Sequence, residues 1–88
     1  MGAPAVTVYT AGFCGYCIRV KSLLERRGIP YAEVSVEDHA GLREELLARS
    51  GRRTLPQVFV GDRFVGGADE IAAMDRDGGL SRFLQSEE

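Results

Sequence analysis

The stretch FCGYCIRVK (Phe13–Lys21) decides the fold of this 88-residue chain, because it holds both of its cysteines, two residues apart. Two cysteines are too few for a multi-disulfide framework, and a bridge across so short a loop removes little unfolded-state entropy. A structural zinc site needs four Cys or His ligands, and beyond the pair the chain offers only His39. We therefore favour a working redox pair. Two core-packing cysteines, or half of a metal site shared between two chains, remain as alternatives.

The residues on either side of this stretch predict a strand, a helix and a second strand. Ala5 to Thr10 (AVTVYT) is rich in β-branched and aromatic residues. From Cys14 to Arg27 the apolar positions follow helical spacing, and Gly28 supplies a C-terminal stop. Tyr31 to Val36 (YAEVSV) predicts another strand. A strand, a crossover helix and a strand imply parallel pairing with a right-handed connection, and they place Cys14 at the helix N-terminus.

The second half of the chain predicts a helix, a β-hairpin and two further helical segments. We assign Asp38 as the N-cap of a helix that reaches about Ser50. The runs PQVFV and RFVG, separated by Gly61-Asp62, favour an antiparallel hairpin. ADEIAAMD after Gly66-Gly67 and LSRFL after Gly78-Gly79 predict helices. The fold class is α/β, with a four-stranded mixed β-sheet flanked by helices. The core candidates are Leu23, Leu24, Leu46, Val58, Phe59 and Leu80.

Composition and charge narrow the class of protein. With 88 residues the chain predicts a single domain, residues 1–88, and 44% hydrophobic with 27% charged residues are ordinary globular values. The net charge is −2 and the basic residues are dispersed, which argues against nucleic acid or an anionic membrane as a partner. No signal sequence and no membrane-length apolar run is evident, so we expect a cytoplasmic protein.

The position of the two cysteines predicts different roles for them. Unpaired N–H groups and the helix dipole at a helix N-terminus favour negative charge, so the pKa of Cys14 is expected to be lowered. Thiolate is the form that attacks. Cys17 lies inside the first turn on the same face and is expected to be more buried, so it suits a second, resolving step.

Three motifs give the chain a resemblance to a known family. CGYC (14–17) after a strand, TLPQVFV (54–60) and GGAD (66–69) occur in the order and spacing of a bacterial glutaredoxin of the dithiol class. The resemblance extends from about Val6 to Leu84, and three motifs in register are far more specific than a lone C-x-x-C. It implies the thioredoxin-like fold, with Pro56 in cis beside Cys14, and glutathione as reductant.

The resemblance also implies a glutathione site. The backbone of Leu55 pairs with the cysteinyl part, and Ala68 and Asp69 hold the γ-glutamyl end, where a helix N-terminus also favours a carboxylate. Arg53 matches a position used near the glycine carboxylate, with Arg52 able to assist or replace it. Asp69 as a mere helix cap, and the arginines as a solvated pair, are the plainer alternatives. The implied glutathione-binding set is Tyr16, Arg53, Thr54, Leu55, Pro56, Gly67, Ala68 and Asp69.

The chain departs from the family pattern at two positions. The family commonly has a lysine that contacts the glycine carboxylate where this chain has Ala11, so Arg52 or Arg53 would have to supply that contact. The usual CPYC is CGYC here, and Gly15 lacks the fixed φ of proline. Family members with a small residue at this position sometimes hold a [2Fe-2S] cluster between two chains, with Cys14 as the matching ligand. We therefore expect a monomer, and a dimer only if such a cluster is bound. Phe13 is expected to pack or to form a rim, and His39 to have no catalytic role.

Together these features predict a glutathione-dependent thiol–disulfide oxidoreductase, with Cys14 and Cys17 catalytic, that reduces protein–glutathione mixed disulfides and protein disulfides. Three alternatives stay open. One is a donor to ribonucleotide reductase that is recharged by a thioredoxin reductase, another is a dimeric carrier of a glutathione-ligated cluster, and the last is a structural adaptor.

Overall fold

The computed structural model describes residues 5–85 of the chain. The strands are β1 (Val6–Thr10), β2 (Tyr31–Ser35), β3 (Gln57–Val60) and β4 (Arg63–Gly66). The helices are α1 (Gly15–Arg26), α2 (Leu42–Ser50), α3 (Ala68–Arg76) and α4 (Leu80–Gln85), with a 3₁₀ turn at Val36–Asp38. None of the helices within residues 5–85 has the length and apolar character needed to cross a bilayer.

The four strands form one mixed sheet in the order β2-β1-β3-β4. β1 pairs in parallel with β2 and antiparallel with β3, and β3 pairs antiparallel with β4 across the Gly61-Asp62 turn. The predicted fold class, the β-α-β crossover and the hairpin are therefore confirmed. Because the parallel pair is joined by α1, the N-terminus of that helix lies at the end of β1.

The sheet is covered on both faces. On one face Val8 and Val58 are fully buried against α1, α3 and α4, through residues such as Leu24 and Ile71. On the other face Phe59 packs in a cluster with α2. All six predicted core residues are buried. This two-sided burial fixes the loops at the end of β1 and before β3, which carry the candidate site.

The start of the second helix differs from the sequence prediction. α2 begins at Leu42 after Gly41, whose φ of 82° forms a left-handed turn, so Asp38 is not its N-cap. The segment before it forms the 3₁₀ turn instead, because the Ser35 side chain accepts a hydrogen bond from the Glu37 N–H at 3.2 Å. Ser35 thereby ends β2 and caps a turn that the sequence pattern did not indicate.

Candidate active site

Cys14 caps the N-terminus of α1 with its own sulfur. Its backbone is extended (φ −114°, ψ 105°), and its Sγ accepts a hydrogen bond from the Cys17 N–H at 3.1 Å. The Ile18 N–H donates to the Cys14 carbonyl at 3.2 Å. A sulfur at this position faces unpaired N–H groups and the positive end of the helix dipole, both of which stabilise a thiolate.

The two cysteines are joined by a disulfide bond and differ in exposure. Cys17 is 2% exposed and packs inward from the first turn of α1, whereas Cys14 is half-buried and open on one side. An incoming thiol can therefore reach the sulfur of Cys14 but not that of Cys17. The arrangement suits attack at Cys14 and resolution by Cys17.

The loop before β3 brings a backbone edge next to this sulfur. The Leu55–Pro56 peptide bond is cis, as the resemblance implies, and the Leu55 carbonyl oxygen lies 3.8 Å from the Cys14 Sγ. Gln57, buried at the start of β3, holds the loop from behind, because its Nε2 donates to the Arg52 carbonyl at 2.9 Å and to the Thr54 carbonyl at 3.1 Å. The main chain beside Cys14 is thus fixed by a side chain outside the predicted set.

A cavity of about 330 Å³ opens beside this edge, in the range of small-ligand sites. It brings together seven of the predicted binding residues and adds Arg52 and Glu70. The lining residues are Tyr16, Arg52, Thr54, Leu55, Pro56, Gly67, Ala68, Asp69 and Glu70. The cavity is therefore bordered by a backbone edge, an aromatic ring, a helix N-terminus and a guanidinium group.

Arg52 and Glu70 form a two-pronged ion pair at the wall of this cavity. The Arg52 Nη1 and Nη2 donate to the two Glu70 carboxylate oxygens at 3.0 and 2.9 Å, and the guanidinium lies over the Phe64 ring. The Gly67 N–H also donates to Glu70, at 2.8 Å. The hydrogen bond from Arg52, reinforced by that of Gly67, lowers the pKa of Glu70 to about 2. Arg52 keeps further N–H donors that can bind a carboxylate.

Other groups approach both Gly66 and Gly67 closely, and the space at Gly66 admits only glycine. A Cβ on Gly66 would lie 2.5 Å from the Glu70 Cβ, and a Cβ on Gly67 would lie 3.2 Å from the Pro56 carbonyl oxygen. These close approaches place the N-terminus of α3 against the cis-proline loop. Gly67 is the N-cap of α3, so Asp69 does not cap this helix.

Four other residues singled out from the sequence lie outside the cavity. Arg53 is exposed and does not line it. Ala11 is half-buried and lines a separate cavity, which the two cysteines themselves also line. His39 is exposed after the 3₁₀ turn, and it lines neither of these two cavities. Phe13, with a positive φ of 55°, is fully exposed, so of the two predicted roles it forms a rim and does not pack.

The sequence prediction missed Glu70 and Gln57, for different reasons. Glu70 follows the N-cap Gly67 by three residues, which is the spacing of a capping box, and that signal could have identified it. Gln57 stands in an apolar strand and carries no pattern that marks it. Only the fold shows that its amide faces the loop carbonyls.

Thiol–disulfide exchange is the chemistry that this arrangement supports, since a reactive outer sulfur, a resolving inner sulfur and an open backbone edge lie together. The site and the sheet place the chain among the thiol–disulfide oxidoreductases of thioredoxin-like fold. Comparison with known proteins narrows the class. The glutaredoxin family model matches residues 6–65, and the chain therefore belongs to the glutaredoxin family.

Curated relatives and solved structures agree with this assignment. The chain is 40% identical over 83 residues to a glutaredoxin of Pseudomonas aeruginosa, covering 94% of this chain and 99% of that one. It is 41% identical over 80 residues to glutaredoxin 3 of Escherichia coli, covering 91% and 96%. The crystal structure of a buckwheat glutaredoxin–glutathione complex superposes with a TM-score of 0.86 at 33% identity, covering 93% and 77%.

Proposed function

We propose that the chain is a glutathione-dependent oxidoreductase that reduces protein–glutathione mixed disulfides and protein disulfides through Cys14. The observation that carries the proposal is the cavity beside Cys14, which combines a backbone edge, a helix N-terminus and one restrained guanidinium. Glutathione has the matching groups: a thiol between two peptide bonds, an ammonium and two carboxylates. The similarity to a glutaredoxin solved in complex with glutathione adds support.

Each part of glutathione has a candidate partner in the cavity. The cysteinyl backbone would pair with Leu55 in a strand-like manner, which brings its sulfur to Cys14. The γ-glutamyl carboxylate would accept from the N–H groups at the start of α3, and its ammonium would face Asp69. The glycine carboxylate would bind Arg52. In this proposal Arg52, and not Arg53, supplies the contact that Ala11 cannot make.

In the monothiol route only Cys14 is needed. The Cys14 thiolate attacks the glutathione sulfur of a glutathionylated protein, forming a Cys14–glutathione disulfide and releasing the protein thiolate, which takes up a proton. A second glutathione, as thiolate, attacks the glutathione sulfur held on Cys14. That step forms oxidised glutathione and returns Cys14 as thiolate. In the net reaction the incoming glutathione sulfur is oxidised and the protein sulfur is reduced, while the glutathione sulfur taken from the protein stays at the disulfide level.

In the dithiol route Cys17 is also needed. Cys14 attacks a protein disulfide and forms a mixed disulfide while one protein sulfur leaves. The Cys17 thiol then loses its proton and attacks the Cys14 sulfur, so that the second protein sulfur leaves. The product is the Cys14–Cys17 disulfide, which two glutathione molecules reduce in turn. The buried sulfur of Cys17 lies within the same helical turn, which suits this internal step.

The test is glutathione-coupled turnover of a glutathionylated peptide by the wild type and by Cys17→Ser. We expect both to be active, because the monothiol route bypasses Cys17. If the wild type is inactive with glutathione but active with a thioredoxin reductase, the reductase-linked donor replaces the proposal. A dimer with visible absorption after anaerobic reconstitution, without turnover, would favour the cluster carrier. The monomeric state, the cytoplasmic location and the single domain stay predictions.

A further inference from the structure

A groove between α1 and α3 continues away from the candidate active site. Its upper part, a cavity of about 90 Å³, shares Tyr16, Ala68 and Asp69 with the cavity beside Cys14. Its lower part, about 420 Å³, shares Arg19 and Leu23 with the upper part. We call this continuous surface the α1–α3 groove. A substrate peptide whose glutathione fills the cavity would reach this groove by passing over the exposed ring of Tyr16.

The groove carries positive charge although the chain as a whole has a net charge of −2. Arg19, Arg26 and Arg76 line the lower part and are exposed. Within residues 5–85 none of these three arginines forms an ion pair. Asp75, the acidic residue of the lower part, is already bound by Arg27 at 2.7 and 3.0 Å. Arg26 attracts the same carboxylate at longer range, and the Arg19 guanidinium lies 5.5 Å from the centre of the Tyr16 ring. The lower groove therefore presents an excess of positive charge to solvent.

Exposed apolar surface lies at the edge of the same groove. Ile18, one residue after Cys17, is 62% exposed, and Leu23 forms part of the floor. A ligand with a single small anion would leave this surface uncovered. A peptide with several carboxylates and an apolar side chain would match both features, because each carboxylate could pair with a guanidinium while the apolar group covers Ile18. A second copy of this chain would place like charges face to face.

We infer that the α1–α3 groove binds an acidic segment of the protein substrate whose disulfide reacts at Cys14. This inference rests on the proposed function and names a class of substrate for it. From Tyr16 to Arg26 the helix rises about 15 Å at 1.5 Å per residue. An extended peptide covers that length in roughly four to five residues. The acidic residues of a preferred substrate therefore lie within about five residues of its reactive cysteine.

The test compares two glutathionylated peptides of equal length, one with three Glu within five residues of the cysteine and one with Gln at those positions. The enzymes are the wild type, Arg26→Gln/Arg76→Gln, and the control Arg43→Gln/Arg82→Gln, which removes the same charge from exposed arginines that do not line the groove. We expect the wild type to favour the acidic peptide in kcat/KM by about fivefold at low ionic strength, with the preference lost at about 0.5 M salt. The groove variant should lose the preference and the control should keep it.

The outcomes separate this inference from the proposed function. Turnover of the Gln peptide reports on the proposed function alone, whereas the ratio between the two peptides reports on the groove. Equal kcat/KM for both peptides with the wild type would overturn the inference, as would loss of the ratio in the control. If neither peptide turns over, fluorescence anisotropy of an acidic peptide without cysteine still tests the inference. Salt-sensitive binding that requires Arg26 and Arg76 would support binding of acidic peptides in the groove. Binding to anionic lipid vesicles with no preference for the acidic peptide would contradict it.

Discussion

At the scale of single residues, the chemistry depends on a cysteine that occupies a helix N-cap. N-caps are usually Ser, Thr, Asp or Asn, whose side-chain oxygens accept a backbone N–H. Here the Cys14 sulfur accepts that bond from Cys17, so the interaction that begins the helix is also one that stabilises the thiolate. The sequence predicted the position of Cys14 from helical spacing, because the apolar positions that follow it have the period of a helix.

The Cys14→Ser variant keeps an N-cap for α1 and removes the proposed nucleophile. Serine is a good N-cap, so we expect the variant to fold with a free energy of unfolding within about 1 kcal/mol of the reduced wild type. Its glutathione-coupled activity should fall to the uncatalysed background, since a serine hydroxyl at this position is not ionised. Circular dichroism with urea unfolding and the turnover assay check the two expectations. Residual turnover near the wild-type rate would show that Cys14 is not the nucleophile.

Arg52 and Arg53 allow a matched comparison of two candidates for the contact with the glycine carboxylate of glutathione. Arg52→Gln should raise the KM for glutathione roughly tenfold with a smaller effect on kcat, because a charge-assisted hydrogen bond is lost. Arg53→Gln should leave the KM within about twofold, since Arg53 does not line the cavity. Steady-state kinetics at varied glutathione measures both. The opposite ranking would assign the contact to Arg53 and refute the role given to Arg52.

At the scale of elements, the site forms where α1, the cis-proline loop and α3 meet. Helical periodicity and the double glycine predicted the two helices, whereas the cis-proline loop was implied by the family resemblance of the TLP motif. The sequence prediction misplaced the start of α2, since Ser35 caps a 3₁₀ turn and Gly41 makes a left-handed turn before Leu42. It also did not show that Arg52 reaches Glu70, which lies 18 residues further along the chain. Such a contact depends on the β3–β4 hairpin returning α3 to the loop.

Replacing either of two glycines with alanine should change the free energy of unfolding in opposite directions. Gly66→Ala should destabilise the fold by about 1 to 3 kcal/mol, because its Cβ would clash with the Glu70 Cβ at 2.5 Å. Gly15→Ala, at the first residue of α1 with open space around its Cβ, should stabilise by roughly 0.5 to 1 kcal/mol. Urea unfolding of both variants tests this. Equal effects would contradict the packing described for Gly66.

The Arg52–Glu70 pair should make stability depend on pH in the acid range. The pKa of Glu70 is lowered on folding from 4.5 to about 2, so the folded chain binds this proton more weakly than the unfolded chain. The contribution is complete above pH 4.5 and is lost as the pH falls towards 2. As the pH falls from 4.5 to 2, the Glu70→Gln variant should therefore lose less stability than the wild type.

Urea unfolding from pH 6 to pH 2 measures this difference. Glu44→Gln provides the matched control, because Glu44 is exposed on α2. That variant should keep the pH dependence of the wild type. An identical dependence in Glu70→Gln and the wild type would show that the ion pair does not persist in solution.

At the scale of the whole molecule, a small two-sided sheet holds two chemically different surfaces that meet at Tyr16, Ala68 and Asp69. The cavity walled by Arg52 suits a small zwitterionic thiol, and the α1–α3 groove suits an acidic peptide segment. The order of elements and the residues of the cavity were largely predictable, since motifs and periodicity fix them. The groove was not, because α1 and α3 lie far apart in the sequence and only their packing brings Arg26 and Arg76 to one surface.

The central claim is that Cys14 takes glutathione, and not the protein, from a glutathionylated substrate. The most direct measurement is mass spectrometry of reduced Cys17→Ser after reaction with a glutathionylated peptide in the absence of free glutathione. We expect a glutathione adduct on Cys14 and one free peptide thiol for each adduct formed. A peptide adduct on Cys14, or no adduct at all, would contradict the account.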